Sequence, residues 1–134
     1  MTASAAPAAE MEQDVRILAV DDHQPFRDAL RDLIAAAPGC VQVGQACSGE
    51  EAVRACERLS PLLVLMDVAM PGMDGIAAAR LILSRDPGTV ILLISVEDPA
   101  DYPGASDLGS TVAYARKQDL RPSGLRRVWE MHKS

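Results

Sequence analysis

An α/β fold with a five-stranded parallel sheet is what this sequence predicts, and three observations predict it. Five short strand-like runs alternate with segments of helical period, which occupy four of the five slots after them. The first of these runs, "VRILAV", is apolar nearly throughout instead of at every second position, as in a strand covered on both faces. Turn-forming residues stand between the runs. With 134 residues, 49% of them apolar, the chain has the size of one domain with one core. A single domain over 15–134 is expected behind a tail over 1–14, which is rich in Ala, Ser and Pro, has no hydrophobic period and reads as disordered.

The first strand is "VRILAV", starting at Val15 and running into Asp21 and Asp22. Pro25 suits the first turn of the helix that follows, with Phe26, Leu30, Leu33, Ile34 and Ala37 on one face and a stop at Pro38 and Gly39. "VQVGQA" is the second strand and "SGEEAVRACERL" the second helix, opened by Ser48. "LLVLM" is the third strand, ending at Asp67; after the loop "VAMPGMDG" the third helix is "GIAAARLILSR". "TVILLI" is the fourth strand, ending at Ser95, "TVAYA" the fifth, ending just before Arg116 and Lys117, and "PSGLRRVWEMH" the last helix. The slot of the fourth helix holds "EDPADYPGASDLGS". Pro103 and Gly104 fall in its middle, where proline removes a donor and clashes with the preceding turn at ~3 kcal/mol, so a short or irregular helix is expected.

Alternating strands and helices imply right-handed crossovers and a doubly wound sheet with helices on both faces. Ligands of such sheets sit beyond the carboxyl ends of the strands, near a switch in strand order. That directs attention to Asp21, Asp22, Asp67, Ser95 and Lys117, each at or just past a strand end.

Composition narrows the function. A formal charge of −6 and a pI near 4.8 oppose the basic footprint of direct nucleic-acid binding, and one Trp, two Tyr and one Phe give no stacking surface for bases. No apolar run approaches the ~20 residues of a membrane span, and the start lacks a basic region and an apolar stretch, so a soluble, cytoplasmic protein is expected. Cys40, Cys47 and Cys56 lack metal-ligand spacing and read as packing or passive thiols. Met66, Met70 and Met73 read as loop or core packing, since the carboxylates beside them do not suit a soft metal.

Three carboxylates gathered at one end of a sheet raise each other's pKa unless a cation intervenes. All-oxygen ligands point to a hard ion, and a small carboxylate set with open water positions suits Mg²⁺ better than a full calcium cage. His23, next to the acids, reads as a surface or capping residue. Lys117 supplies a compact positive charge and Ser95 a hydroxyl donor. Together these groups describe a phosphoryl site in which Asp67 is the nucleophile and forms an aspartyl phosphate. Pro71, Gly72 and Gly75 turn the following loop sharply and leave that nucleophile uncovered.

On "AVDDH" at Ala19 to His23, "MDVAMPGMDG" at Met66 to Gly75, "IS" at Ile94 and Ser95, and "YARK" at Tyr114 to Lys117, the sequence resembles the receiver domain of two-component response regulators over about Val15 to Met131. The resemblance implies a (βα)5 flavodoxin-like receiver fold. It further implies that Asp67 accepts a phosphoryl group from a phosphohistidine on a sensor histidine kinase or phosphotransfer protein. Mg²⁺ would be held by Asp22, Asp67 and the backbone carbonyl of Ala69, with Asp21 acting through water. Ser95 and Lys117 would hold the phosphoryl oxygens. Movement of Ser95 would let Tyr114 turn inward and reshape the face of the fourth helix, fifth strand and last helix, a population shift read by a downstream protein. Without the motif, Tyr114 would read as a half-buried strand aromatic.

Two positions depart from the pattern. Val96 stands where the family usually has a smaller residue such as Ala, and crowding of the approach to Asp67 is expected to slow exchange with donors and water. Gln118 follows Lys117 where many members have proline, so no cis peptide is expected there. The end after "RRVWEMHKS" and the untagged start favour a stand-alone receiver over one excised from a DNA-binding regulator. The last helix and Trp129 serve either a homodimer or the packing of the helix. Two rivals are a receiver-like interaction module acting independently of phosphorylation and a hydrolase of the haloacid-dehalogenase type. The second wants a general acid two residues after the nucleophile, where Ala69 stands. No G-x-G-x-x-G follows the first strand, against dinucleotide binding. The protein is expected to be a phosphoacceptor and not a turnover enzyme.

Overall fold

A computed structural model describes residues 13–133. The expected tail lies outside them except for its last two residues. Five strands, β1 (Val15–Val20), β2 (Cys40–Ala46), β3 (Leu63–Asp67), β4 (Val90–Ser95) and β5 (Val112–Arg116), form one parallel sheet in the order β2-β1-β3-β4-β5. Four α-helices accompany them among the described residues: α1 (Gln24–Ala35), α2 (Gly49–Leu59), α3 (Gly75–Arg85) and α4 (Pro122–His132). This is the doubly wound α/β architecture that the alternation predicted and, with the order of strands reversing between β1 and β3, the flavodoxin-like one that the resemblance implied.

The helix starts follow their side chains. Ser48 Oγ accepts from the Glu51 N–H at 3.1 Å while Glu51 Oε1 accepts from the Cys47 N–H at 2.6 Å, a reciprocal cap for α2. Asp74 Oδ1 accepts from the Ala77 N–H at 2.8 Å and opens α3. Pro25 and Pro122 occupy first turns, where a missing N–H costs nothing. Helix α1 ends at Ala35, ahead of the expected stop at Pro38; Ala37, beyond its end, is still buried under it.

Both faces of the sheet are covered, and this is why β1, β3 and β4 carry apolar residues at consecutive positions. Leu18, Val20, Val64, Met66, Ile91 and Leu93 face α2 and α3. Ile17, Ala19, Leu63, Leu65, Leu92 and Ile94 face Leu30 and Ile34 of α1 and Leu125 of α4. Trp129 packs against this second layer, with Lys133 Nζ 4.3 Å from its ring centroid. It is half-buried there, in keeping with a packing role in α4.

The β4–β5 connection is two single turns of 3₁₀ helix, Pro99–Asp101 and Ala105–Asp107. Pro103 offers no N–H, and Gly104 between the turns takes φ +83, a left-handed value that breaks an α-helix. Asp98 Oδ1 caps the first turn through the Ala100 N–H at 3.0 Å. The expected irregular helix is thus present as two turns with Tyr102 between them.

Candidate functional site

Parallel strands all end on the same edge, and the expected residues meet there. Asp67 and Ser95 are the last residues of β3 and β4; Asp21 directly follows β1, and Lys117 directly follows β5. One carboxylate oxygen from each of Asp21, Asp22 and Asp67 lies within 4.8 Å of the other two. Asp21 and Asp67 are buried and Asp22 is exposed, so the cluster opens to solvent on one side only.

Lys117 bridges the two buried acids. Its Nζ donates to Asp21 Oδ2 at 2.9 Å and lies 3.9 Å from Asp67 Oδ2. The same ammonium sits 4.1 Å from the centroid of the Phe26 ring, a cation–π contact that steadies it from the side of α1. Asp21 is fixed further by the His23 N–H, which donates to its Oδ1 at 2.8 Å, and by Arg27 Nη1, which donates to its carbonyl at 2.7 Å. His23 begins α1 through its backbone, and its exposed imidazole makes no capping bond. Ala69 is exposed, and its N–H donates to Asp67 Oδ1 at 3.4 Å.

Burial and the neighbouring Asp21 charge push the Asp67 carboxyl up from 3.8 to about 6. Lys117 pulls in the other direction but is engaged more closely by Asp21, so burial and like charge win. The carboxylate is in excess of its cation. A hard cation fits this donor set: three oxygen ligands of like charge, one protein ammonium between two of them, and an exposed Asp22 that leaves room for water.

Behind Asp67 the backbone is close. A Cβ on Gly75 would meet the Asp67 carbonyl oxygen at 2.2 Å and the Val68 Cα at 2.9 Å, so only glycine lets α3 start here. Beside it, Ser95 is buried, and its Oγ donates to Tyr102 Oη at 3.5 Å. Tyr114 is half-buried on β5, and its Oη donates to the Ala105 carbonyl at 2.5 Å. Val96, next to Ser95, is 66% exposed.

Phe26, Arg27 and Tyr102 were missed as site residues by sequence reasoning. Phe26 fits the core face of α1, Arg27 reads as a helical surface charge, and Tyr102 lies in a segment without a period. Nothing local marks any of them. The cysteines are free, and burial pushes the Cys56 thiol up to about 12, consistent with a passive role. All peptide bonds among the described residues are trans, including the one after Lys117. No helix among the described residues is long and apolar enough to cross a membrane.

Comparison with known proteins agrees with this geometry. The family model "Response regulator receiver domain" matches residues 17–109. A protein-glutamate methylesterase/protein-glutamine glutaminase of Methanosarcina mazei is 39% identical over 98 residues, 72% of this chain and 28% of the relative. The response regulator GacA of Pseudomonas viridiflava is 41% identical over 87 residues, 63% of this chain and 41% of the relative. The matched stretch thus covers less than half the length of either curated relative. Among solved structures, the receiver domain of the response regulator NarL from Mycobacterium tuberculosis superposes with a TM-score of 0.76 at 30% identity, covering 88% of this chain and 95% of that one. A LuxR-family two-component response regulator from Aurantimonas sp. gives 0.79 at 28% identity, covering 90% and 89%. With the matched family model spanning most of the fold and the acid cluster, Ser95 and Lys117 standing at the strand ends, this chain belongs to the response regulator receiver domain family.

Proposed function

We propose that the chain is a phosphoacceptor switch of a two-component phosphorelay, taking a phosphoryl group on Asp67 from a phosphohistidine of a sensor histidine kinase or phosphotransfer protein. The observation that carries this reading is the gathering of Asp21, Asp22 and Asp67 within 4.8 Å with Lys117 Nζ between the two buried acids. A carboxylate oxygen of Asp67 forms the new P–O bond as the P–N bond of the donor breaks. The electron pair of that bond returns to the donor imidazole, which takes a proton from solvent.

Asp22, Asp67 and the carbonyl of Ala69 would hold Mg²⁺, with Asp21 acting through water. When bound, the ion supplies positive charge to the phosphoryl oxygens and relieves the repulsion among the carboxylates. Lys117 would follow a phosphoryl oxygen on Asp67, and its nearest acid, Asp21, held by the His23 N–H, would not need to move. Ser95 contributes one hydroxyl proton to the same group. The chain then signals by the packing of the β4–β5 connection and β5, read by a downstream protein, with a homodimer as one form of readout. It acts as acceptor and switch without turnover of a separate substrate.

A second reading, an interaction module that works without phosphorylation, draws support from the two-turn β4–β5 connection in the place of a full helix. One experiment separates them: intact mass after incubation with phosphoramidate, with and without Mg²⁺, on the natural sequence and Asp67→Asn. A gain of one phosphoryl unit that requires both Mg²⁺ and Asp67 is the expected result. No gain under conditions that label a control receiver would overturn the phosphoacceptor reading in favour of the second.

A further inference from the structure

The hydroxyl of Ser95 has one proton to give, and its partner in this structure is Tyr102, not Tyr114. We infer that Tyr102 is the residue that senses Ser95, so that phosphorylation of Asp67 is transmitted by loss of the Ser95–Tyr102 hydrogen bond. This deepens the phosphoacceptor reading and rests on it.

Tyr102 occupies the joint of the β4–β5 connection. Its N–H donates to the Pro99 carbonyl at 3.2 Å, closing the first 3₁₀ turn, and its carbonyl accepts from the Ala105 N–H at 3.1 Å, which leads into the second. The Ala105 carbonyl in turn accepts from Tyr114 Oη at 2.5 Å. A line of contacts therefore runs from Ser95 to Tyr102, through one peptide hydrogen bond to Ala105, and on to Tyr114 in β5. The aromatic of the "YARK" stretch stands at the far end of that line. Arg80 Nη2 also holds the connection, donating to the Gly104 carbonyl at 3.4 Å from α3.

The two acceptors available to the Ser95 proton are unequal. A phenol oxygen at 3.5 Å is a long, neutral partner. A phosphoryl oxygen on Asp67 is ionised, and hydrogen bonds to ionised acceptors are about twice as strong as neutral ones. Ser95 has a single proton to donate, so phosphorylation takes it from Tyr102, and a contact already at 3.5 Å does not hold once Oγ turns to the phosphoryl oxygen. The connection has only two short turns of its own, and losing a link at their joint loosens both. Tyr102 is a positioning residue: it acts through Ser95 and touches no reacting atom.

Hydrogen exchange of the amides from 98 to 108, in the resting chain and in chain phosphorylated by phosphoramidate with Mg²⁺, tests this, with intact mass fixing the phosphorylated fraction. In the resting natural sequence these amides should exchange more slowly than after phosphorylation. Tyr102→Phe, which keeps the ring and removes the acceptor, should raise resting exchange by about twofold, the low end for one net hydrogen bond because this one is long. It should also abolish most of the further change on phosphorylation. Ser95→Ala should raise resting exchange equally, and the double variant no further. If labelled Tyr102→Phe shows the same phosphorylation-dependent change as the natural sequence, or if the two resting effects add, the inference is overturned while the phosphoacceptor reading stands. If no chain takes up a phosphoryl unit on Asp67, both are overturned.

Discussion

Replacing Asp67 by Asn should make the metal-free protein more stable at neutral pH, and the size of the gain can be worked from the site. Asp67 is 5% exposed, and burial and Asp21 push its carboxyl from 3.8 to about 6. For a carboxyl whose folded pKa lies above its unfolded one, the folded state binds the extra proton, so stability falls as pH rises from about 4 to about 6 and the full penalty persists above. That displacement corresponds to ~3 kcal/mol at pH 7. Asn removes the buried charge and keeps an oxygen for the Ala69 N–H, and the attraction of Lys117 at 3.9 Å is already contained in that displacement. A net gain of ~1–3 kcal/mol remains, which for a domain of this size raises Tm by roughly 3–10 °C. Urea and thermal unfolding of both chains in chelator at pH 7.5 and at pH 4 are the assay. The gain should be present at pH 7.5 and largely gone at pH 4. Added Mg²⁺ should narrow it by stabilising the natural sequence more than the variant. An Asp67→Asn variant that is no more stable at pH 7.5, or whose advantage is unchanged at pH 4, would refute the electrostatic description of the site.

Three other perturbations follow from the same geometry. Phe26→Leu removes the ring 4.1 Å from Lys117 Nζ and should slow phosphoryl uptake from phosphoramidate about fivefold, the rate equivalent of ~1 kcal/mol, with Mg²⁺ affinity measured by titration unchanged. Gly75→Ala drives a methyl group onto the Asp67 carbonyl oxygen and should cost ~2 kcal/mol or more in urea unfolding while slowing uptake, because the end of β3 must move. Val96→Ala clears the exposed side chain next to Ser95 and should speed both phosphorylation and dephosphorylation in time courses; unchanged rates for both would remove Val96 as a cause of slow exchange.

The sequence carried the fold in the apolar runs and their turns. "ILAV" and "VILLI" are apolar at consecutive positions because β1 and β4 are covered on both faces, and with helices alternating between the strands this points to a parallel sheet. Pro103 and Gly104 announced the broken fourth helix, although not that it would become two turns hinged at Tyr102. The acid cluster, Ser95 and Lys117 were legible because topology brings strand ends together wherever they lie in the chain. Phe26 beside Lys117 and Tyr102 beside Ser95 were not, because each contact depends on how a side chain crosses between elements that no local spacing relates. Gly75 was legible as a flexible loop residue, but its reason is different: the backbone of Asp67 passes too close for any side chain.

The most direct test of Asp67 as the acceptor is to trap the phosphorylated protein with borohydride, which reduces an aspartyl phosphate to homoserine, and to locate the altered residue by peptide mass spectrometry. Homoserine at position 67 and at no other carboxylate is the predicted result. Phosphorylated protein with Asp67 intact and homoserine at another position, or phosphate on a different residue type, would contradict the placement of the nucleophile.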